Sequence, residues 1–182
     1  MGNVFANGFM AVANVSKIRG KAFINKEKIK EGAEIASGMV LSIPKKGDFV
    51  EVKFQNGHII RFVGAIVKVE DITPKSTLFN LIKGKIFSAI KPLTSGETFM
   101  VKTKNASFEV RGTRFSIEEF KKYSYICVRE GVVATKTTRG EVEVKKDEDL
   151  TITSTNADLK TNLASQKMID LSNTIFKEMG AL

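Results

Sequence analysis

Two arginines beside a glycine are the residues of this sequence best suited to bind an anion. Arg111 and Arg114 lie on either side of Gly112 and Thr113. A guanidinium group donates hydrogen bonds in a fixed fork that matches a carboxylate or a phosphate. Residues 111–114 are therefore the candidate site for contact with a partner. In the alternative interpretation, Gly112 and Thr113 only hold a crossover between strands, and the arginines are solvated.

The apolar pattern around this site changes phase at the glycine. Phe108 and Val110 occupy even positions, whereas Phe115 and Ile117 occupy odd positions. Because side chains of a strand alternate between two faces, such a slip needs an extra residue or a bend in the backbone. Glycine adopts backbone conformations that other residues avoid. The pattern predicts a β-bulge or a sharp bend at Gly112.

Nucleophilic and metal chemistry has little support in the sequence. The chain has a single cysteine, Cys127, and a single histidine, His58, so an intramolecular disulfide and the usual zinc ligand sets are excluded. Cys127 lies in an apolar run and is predicted to be a small, buried strand residue. His58 follows a turn glycine and is predicted to be a partly exposed hairpin residue.

Acidic residues also give no catalytic pattern. Glu118 and Glu119, and the triplet at residues 147–149, are surrounded by charged residues and have no companion nucleophile, which predicts solvated turns. The glycines are scattered and do not cluster before a helix, as a phosphate-binding loop requires. The sequence predicts a protein that is not an enzyme and that holds no cofactor or metal.

The net charge of +9 raises the possibility of a polyanion partner. Lysines are spread over nearly every segment, mostly singly, which favours a solvated basic surface that also protects strand edges. Nucleic acid is therefore a disfavoured partner. Binding of lipopolysaccharide, a wall polymer or nucleic acid remains the alternative function. No apolar run is long enough to span a bilayer.

The clearest hairpin runs from Phe49 to Val63, with Asn56 and Gly57 at its tip. A two-residue turn would set Arg61 opposite Val52 and mix apolar with polar side chains. A three-residue loop over residues 55–57 instead pairs Ile60 with Val52 and Phe62 with Val50. Because this register keeps one apolar face together, the sequence predicts the three-residue loop.

Short strands separated by glycine turns continue to about residue 153, and they predict an all-β fold. The spacing is irregular, so the architecture is expected to be a two-sheet sandwich or an irregular β-solenoid-like domain of short, mostly antiparallel strands. From residue 156 the apolar period becomes helical, which predicts one C-terminal amphipathic helix. Thr155 or Asn156 is expected to cap its start, Asp158 to lie in its first turn, and Gly180 to mark its end. The predicted apolar face comprises Leu159, Leu163, Met168, Leu171, Ile175 and Met179.

Three segments follow from this pattern. Residues 1–13 are uncharged and end in Ala11-Val12-Ala13, a small-x-small pattern typical of a signal-peptidase site, so they are either the remnant of an export signal or a frayed terminus. Residues 14–153 form the β domain. Residues 154–182 form the helical segment, which either docks on that domain or binds a partner.

Several blocks of the sequence resemble the FecR domain family. They are Gly47 to Phe62, Leu81 to Phe87, Phe99 to Thr103, Val110 to Phe115 and Val128 to Val133. The blocks occur in the family's order. The Arg-Gly-Thr-x-Phe block followed by the Val-x-Glu-Gly-x-Val block is the most specific of them.

This resemblance implies a non-enzymatic, all-β module of the bacterial cell envelope. In ferric-citrate type regulators the domain is the periplasmic part of an anti-sigma protein that takes part in signal transduction. The resemblance therefore implies an envelope protein as the partner, without naming it or fixing the oligomeric state. It also implies a periplasmic or secreted location if an export signal precedes or overlaps residues 1–13. Without such a signal the protein is expected to be soluble.

Overall fold

The computed structural model describes residues 12–155 and 159–182. These residues form sixteen strands, β1 to β16, and one helix, α1, which spans Gln166–Glu178. The strands span, in chain order, Ala13–Arg19, Phe23–Ile24, Glu27–Lys28, Glu34–Ile35, Val40–Ser42, Phe49–Phe54, Ile59–Ile72, Ser76–Ala89, Thr98–Lys102, Ser107–Val110, Arg114–Glu119, Tyr123–Glu130, Val132–Thr137, Gly140–Lys145, Glu148–Thr153 and Asn162–Leu163.

The β6–β7 hairpin has the predicted register. Val50 pairs with Phe62 and Val52 pairs with Ile60, and all four side chains are buried. The Phe54 N–H donates to the His58 carbonyl over 3.0 Å, which closes a three-residue loop over residues 55–57. The prediction of the longer loop is thus confirmed, and its physical reason is that this register buries one continuous apolar face.

The next two strands are longer than the sequence predicts. β7 and β8 contain 14 residues each and continue through Gly64 and Gly84, whereas the sequence predicts short strands separated by glycine turns. The pairing shifts between Val63 and Ile66, beside Gly64. A Cβ atom on Gly84 would lie 2.4 Å from the Gly64 carbonyl oxygen. The two glycines therefore allow two strands to bend together without ending either strand.

The bend divides the sheet into two arms. The first arm contains β1, β4, β6, β11, β12, β15 and β16, and the second contains β2, β3, β5, β9, β10, β13 and β14. β7 and β8 run through both arms, so hydrogen bonds join all the strands into one sheet. Every pairing among the described strands is antiparallel except β8 with β9. The all-β prediction is confirmed, with one continuous sheet instead of two separate ones.

The main core lies between the two arms. Phe62 of the first arm meets Phe79 of the second with ring centroids 5.4 Å apart in an edge-to-face geometry, and Phe54 approaches Phe79 at 6.5 Å. Phe99, Phe108 and other large side chains of the same cluster are fully buried. The abundance of phenylalanine in a chain without tryptophan is explained by this core.

The predicted C-terminal helix is present, but it begins later than its periodicity indicates. Its N-cap is Ser165, whose Oγ accepts a hydrogen bond from the Met168 N–H. Residues 162–163 form β16 and pair with β15, so the backbone hydrogen bonds of this segment go to the sheet. Thr155 is not the cap, and Asn156 and Asp158 lie outside the described residues.

The end of the helix is where the sequence predicts it. Gly180 has a φ of 68° and its N–H donates to the Lys177 carbonyl, while the Ala181 N–H donates to the Phe176 carbonyl. This pair of bonds is a Schellman motif, which glycine favours because it adopts a positive φ without a Cβ clash.

The helix packs on the outer face of the first arm, opposite the main core. Phe176 is fully buried and meets Phe87 at 6.2 Å in an edge-to-face contact, and Met179 packs beside it. The buried face also includes Ser172, whereas Leu171 is 41% exposed and Leu163 lies outside the helix, 83% exposed. The predicted apolar face is therefore wrong at Leu163, which precedes the helix, and at Leu171, where the neighbouring Ser172 is the buried residue.

No helix in the described part of the chain has the length and apolar character needed to cross a membrane.

Candidate functional site

The predicted bend at Gly112 lies between β10 and β11. Gly112 has a φ of 76°, and a Cβ atom there would lie 2.7 Å from Pro92 Cα. The neighbouring Thr113 carbonyl accepts a hydrogen bond from the Ile90 N–H over 2.9 Å. The bend thus packs directly on the backbone of residues 90–92, and only glycine fits this close approach.

We expect Gly112→Ala to destabilise the protein by about 2 to 3 kcal/mol, from left-handed backbone strain and the collision with Pro92. Gly96→Ala is the matched control, since Gly96 has a φ of 81° with open space around it. That control is expected to cost only the strain, about 1 to 2 kcal/mol. Urea unfolding measures both changes, and equal losses would show that the contact with Pro92 is unimportant.

The structure places the two candidate arginines in different surroundings. Arg114 Nε lies 2.8 Å from Glu130 Oε2, and Arg114 Nη1 donates to the Ala181 carbonyl over 2.9 Å. The Arg111 side chain is 83% exposed, and its nearest carboxylate, on Glu109, is 3.8 Å away. Arg114 therefore links the bend to the C-terminal segment through its hydrogen bond to Ala181, while Arg111 faces solvent.

A cavity of about 320 Å³ lies beside the bend. Gly112, Thr113 and Arg114 line one side of it, and residues 180–182 line another. Thr113 is almost fully buried. The candidate residues are thus neighbours in space, although only Arg111 presents its charge freely at the surface.

His58 and Cys127 are the other residues with potential chemistry. His58 is only 3% exposed and packs against Phe54 and Phe99, so the prediction of a partly exposed histidine is wrong. Burial lowers the pKa of His58, and Nδ1 accepts a hydrogen bond from the Lys91 N–H. Cys127 is a buried, free thiol as predicted, and desolvation raises its pKa to about 11. Neither side chain is arranged as a nucleophile or its base.

The prediction of solvated glutamates is also wrong. Glu118 and Glu119 are 5% and 4% exposed and belong to β11. Lys85 Nζ lies 2.9 Å from Glu118 Oε1. The Ser124 hydroxyl donates to Glu119 over 2.5 Å, and desolvation by burial raises the pKa of Glu119 in spite of this bond. The sequence interpretation of the two adjacent glutamates was wrong because Lys85, on the neighbouring strand β8, and Ser124, across the β11–β12 turn, stabilise them in the interior.

Glu119 belongs to a polar network that joins two hairpin tips. Ser124 Oγ lies 2.9 Å from Thr103 Oγ1 and accepts a hydrogen bond from Asn105 Nδ2 over 3.1 Å. Thr103 and Asn105 lie in the β9–β10 turn, whereas Glu119 and Ser124 flank the β11–β12 turn. The network therefore holds the two turns side by side at the place where the arms separate.

A groove of about 940 Å³ opens at this place, and we call it the fork groove. Its apolar lining includes Val63, Ile66, Leu81, Ile82 and Phe120. Ile82 is 53% exposed and Phe120 is 37% exposed. A large apolar concavity of this size is typical of a binding site. The sequence does not predict this groove, and its one signal is an apolar residue, Phe120, within a strongly charged loop.

Lysines surround the fork groove. Lys46, Lys83, Lys104 and Lys121 line it and are exposed. None of these four forms an ion pair with another residue of the described chain. The groove thus combines an apolar lining with exposed lysines, of which Lys104 is close enough to Glu119 to act on its pKa. Within residues 12–155 and 159–182, no group of three or more histidine, cysteine, aspartate or glutamate residues is arranged to hold a metal ion.

Comparisons with known proteins place the fold and the family. Two crystal structures, at 2.50 and 1.65 Å resolution, are similar to this chain, and each is described as "a putative anti-sigma factor" from Parabacteroides distasonis. The identities are 18% and 17%, the TM-scores are 0.62 and 0.61, and the similarity covers 72% of this chain in both cases. The chain spans 62% of the length of each of those proteins. No curated protein matches the chain.

The family model described as FecR protein matches residues 40–134, just over half of the chain. The matched region begins at β5 and ends within β13. It includes the bend at Gly112 and the residues that line the fork groove. This chain belongs to the FecR family.

Proposed function

We propose that this protein is a non-enzymatic binding and sensory module of the bacterial cell envelope that works in signal transduction. The observation that carries the proposal is the FecR match, because it covers the core strands, the bend and the fork groove together. The similar solved structures are described as anti-sigma factors, a class of protein that acts by binding another protein. A protein partner is therefore the first expectation for this chain as well.

The proposed division of the chain into segments is the one that the sequence pattern predicts. Residues 14–153 are the FecR-like domain, and residues 154–182 are a C-terminal segment whose helix packs on it. A periplasmic or secreted location is proposed, with an export signal that precedes or overlaps residues 1–13. An envelope location is compatible with the single cysteine, because burial shields its thiol and the chain has no second cysteine with which it could form a disulfide.

The proposal of a non-enzymatic role is supported by the state of the reactive groups. Cys127 has a raised pKa, His58 accepts a backbone hydrogen bond in an apolar surrounding, and Glu119 binds Ser124. Each of these groups is occupied by contacts that hold the fold together. The fork groove, a concave surface with apolar and charged side chains, is the remaining candidate for a functional surface.

Two surfaces are proposed to contact the partner. At the bend, Arg111 presents an exposed guanidinium. The bend itself is held by the packing of Gly112 on Pro92 and by the ion pair between Arg114 and Glu130, and Thr113 lies between these two residues. At the opening between the arms, the fork groove presents its apolar lining. A carboxylate of the partner is the group that Arg111 would bind.

The experiment is a scan with a photo-crosslinking amino acid in living cells of the native bacterium. The crosslinker is placed at exposed positions in turn, including Ile82, Arg111, Lys121 and Lys146. A binding module is expected to give an adduct with one envelope protein, confined to neighbouring positions. Adducts that are absent, or that involve only lipopolysaccharide or nucleic acid, would contradict the proposal and favour the polyanion alternative.

A further inference from the structure

We propose that the fork groove binds a fatty acid, a small amphiphile with one alkyl chain and one anionic head group. This inference goes beyond the proposed function, because it names a small-molecule ligand for a module whose proposed partner is a protein. The observations that carry it are the volume of the groove, its fixed walls, its apolar lining and its lysines.

The dimensions of the groove suit a small ligand. Its volume, about 940 Å³, lies within the range of small-molecule sites. β8 pairs with β9 up to Asn80 and with β11 from Gly84 onward, so the groove offers no free strand edge to a partner protein. Two strands, β7 and β8, form the floor, which places the backbones of the flanking walls about 14 Å apart at the usual strand spacing. Since the side chains of the walls fill part of that width, an alkyl chain fits between them, whereas an α-helix about 10 to 12 Å across does not.

Both walls of the groove are fixed in place. On the β7 side, the loop between β5 and β6 packs on Gly64, where a Cβ atom would lie 3.2 Å from Lys46 Cα. On the β8 side, the β9–β10 and β11–β12 turns are joined by Ser124, whose Oγ lies 2.9 Å from Thr103 Oγ1 and donates to Glu119 over 2.5 Å. The groove is therefore formed before a ligand enters, which reduces the entropy lost on binding.

The lining provides a surface for an alkyl chain. Val63, Ile66 and Ile82 line the floor, and Phe120 lines the wall on the β8 side. Ile82 is 53% exposed and Phe120 is 37% exposed, so a chain that covers them removes apolar surface of both molecules from water. This gain grows with every methylene group that the chain buries.

The lysines of the groove favour an anionic head group. Lys104 and Lys121 belong to the two turns that the Ser124 network holds side by side, and Lys46 and Lys83 line the same groove. Glu119, the carboxylate that lines this groove, is buried, and desolvation raises its pKa in spite of Lys104. Four lysines and one buried carboxylate leave the groove positive. A fatty-acid carboxylate complements this charge, and a cationic head group is repelled by it.

The test uses the purified protein and dansylaminoundecanoic acid, a fatty acid whose fluorescence rises in an apolar site. The probe is expected to saturate at one molecule per protein. Unlabelled competitors, kept below the concentrations at which they form micelles, then separate the chain from the head group. Dodecanoate is expected to bind at least about tenfold more tightly than octanoate, because it buries more methylene groups. Dodecyltrimethylammonium, which has the same chain and a cationic head, is expected to bind at least about tenfold more weakly than dodecanoate.

A first pair of variants locates the alkyl chain. Ile82→Glu places a carboxylate on the floor of the groove and is expected to weaken probe binding about tenfold or more. Val132→Glu is the matched control, because Val132 is an exposed apolar residue of β13 that does not line the groove. The control is expected to change Kd by less than about twofold. Thermal unfolding confirms that each variant is folded.

A second pair of variants locates the head group. Lys104→Gln combined with Lys121→Gln is expected to weaken probe binding about fivefold or more, since two ammonium groups near the carboxylate are lost. Lys145→Gln combined with Lys146→Gln makes the same change in net charge at the β14–β15 turn. This control pair is expected to change Kd by less than about twofold, because its charges are distant from the groove and screened by salt.

Three results would overturn the inference. Equal competition by dodecanoate and dodecyltrimethylammonium would show an apolar surface that does not select an anion. Equal effects of the groove variants and their controls would place the probe elsewhere on the protein. Binding that does not saturate would show general adsorption of amphiphiles.

Failure of this inference is distinguishable from failure of the proposed function. If the probe gives any of the three contrary results while an envelope protein is still crosslinked in cells, the inference is wrong and the proposed function stands. If the probe binds as expected while no envelope protein is crosslinked, the ligand site stands and the proposed function is wrong.

Discussion

Arg61→Ala is expected to destabilise the protein by about 3 to 5 kcal/mol, because it leaves a buried carboxylate without its counter-charge. Arg61 Nε and Nη2 lie 2.9 and 2.6 Å from Glu51 Oε1, and both side chains are almost fully buried on the helix-covered face. The guanidinium also lies 4.2 Å from the centre of the Phe49 ring. Removal of Arg61 would therefore remove a charge pair and a packing contact together.

Two controls separate these contributions. Glu178 accepts a hydrogen bond from Arg61 Nη1 over 2.7 Å, but its side chain is 56% exposed. Glu178→Gln is therefore expected to cost less than about 1 kcal/mol, as exposed pairs do. The double variant Arg61→Met with Glu51→Met removes both buried charges and is expected to recover most of the loss. A single Arg61→Ala variant with unchanged urea midpoint would contradict the assignment of a buried pair.

Gly84→Ala is the second large expected effect, a loss of about 4 kcal/mol or more from combined strain and backbone collision. Gly84 has a φ of 95°, and a Cβ atom would lie 2.4 Å from the Gly64 carbonyl oxygen and 2.6 Å from Ala65 Cα. These are backbone atoms of the paired strand, so no side chain can move away to relieve the contact. The collision would force β7 and β8 apart at the bend.

Gly38→Ala is the matched control for this effect. Gly38 has a φ of 85° with nothing within 4 Å of its added Cβ, so alanine there costs only left-handed strain, about 1 to 2 kcal/mol. The difference between the two variants in free energy of unfolding isolates the close approach of the strands. If both variants lose the same stability, the close approach of β7 and β8 at Gly84 does not hold the bend.

The sequence predicts correctly those structural features that depend on residues close together in the chain. The register of the β6–β7 hairpin followed from its alternating apolar residues, and the end of the helix followed from Gly180, because a Schellman motif requires little more than a glycine. The slip at Gly112 likewise predicted a bend. These features depend on interactions within a few residues along the chain, where sequence patterns are most reliable.

The sequence was misleading where distant partners decide the structure. Gly84 resembles a turn glycine, but its close approach to Gly64 makes it part of a continuous strand. Glu118 and Glu119 resemble a solvated pair, but Lys85 and Ser124 stabilise them in the interior. The start of the helix was misplaced because β16 pairs with β15. In each case the deciding contact joins neighbouring strands or turns of the folded sheet, about which periodicity has no information.

The fork groove was not predictable for a related reason. Its lining comes from residues 44–47, 63–66, 80–85, 103–104 and 119–121, which periodicity alone cannot place together. The groove exists because β8 changes partner from β9 to β11 within four residues. Only the strand order of the folded sheet brings the apolar lining and the lysines to one place.

We propose that this FecR-family chain binds a protein and not a polyanion. The most direct measurement is the Kd of the purified complex with the envelope protein that the crosslinking scan identifies, at 50 and 200 mM NaCl. A protein interface with an apolar centre is expected to weaken by less than about tenfold between these salt concentrations. Absence of saturable binding to that envelope protein, together with binding of lipopolysaccharide or nucleic acid whose Kd rises about a thousandfold or more over the same salt range, as counterion release produces, would contradict the account.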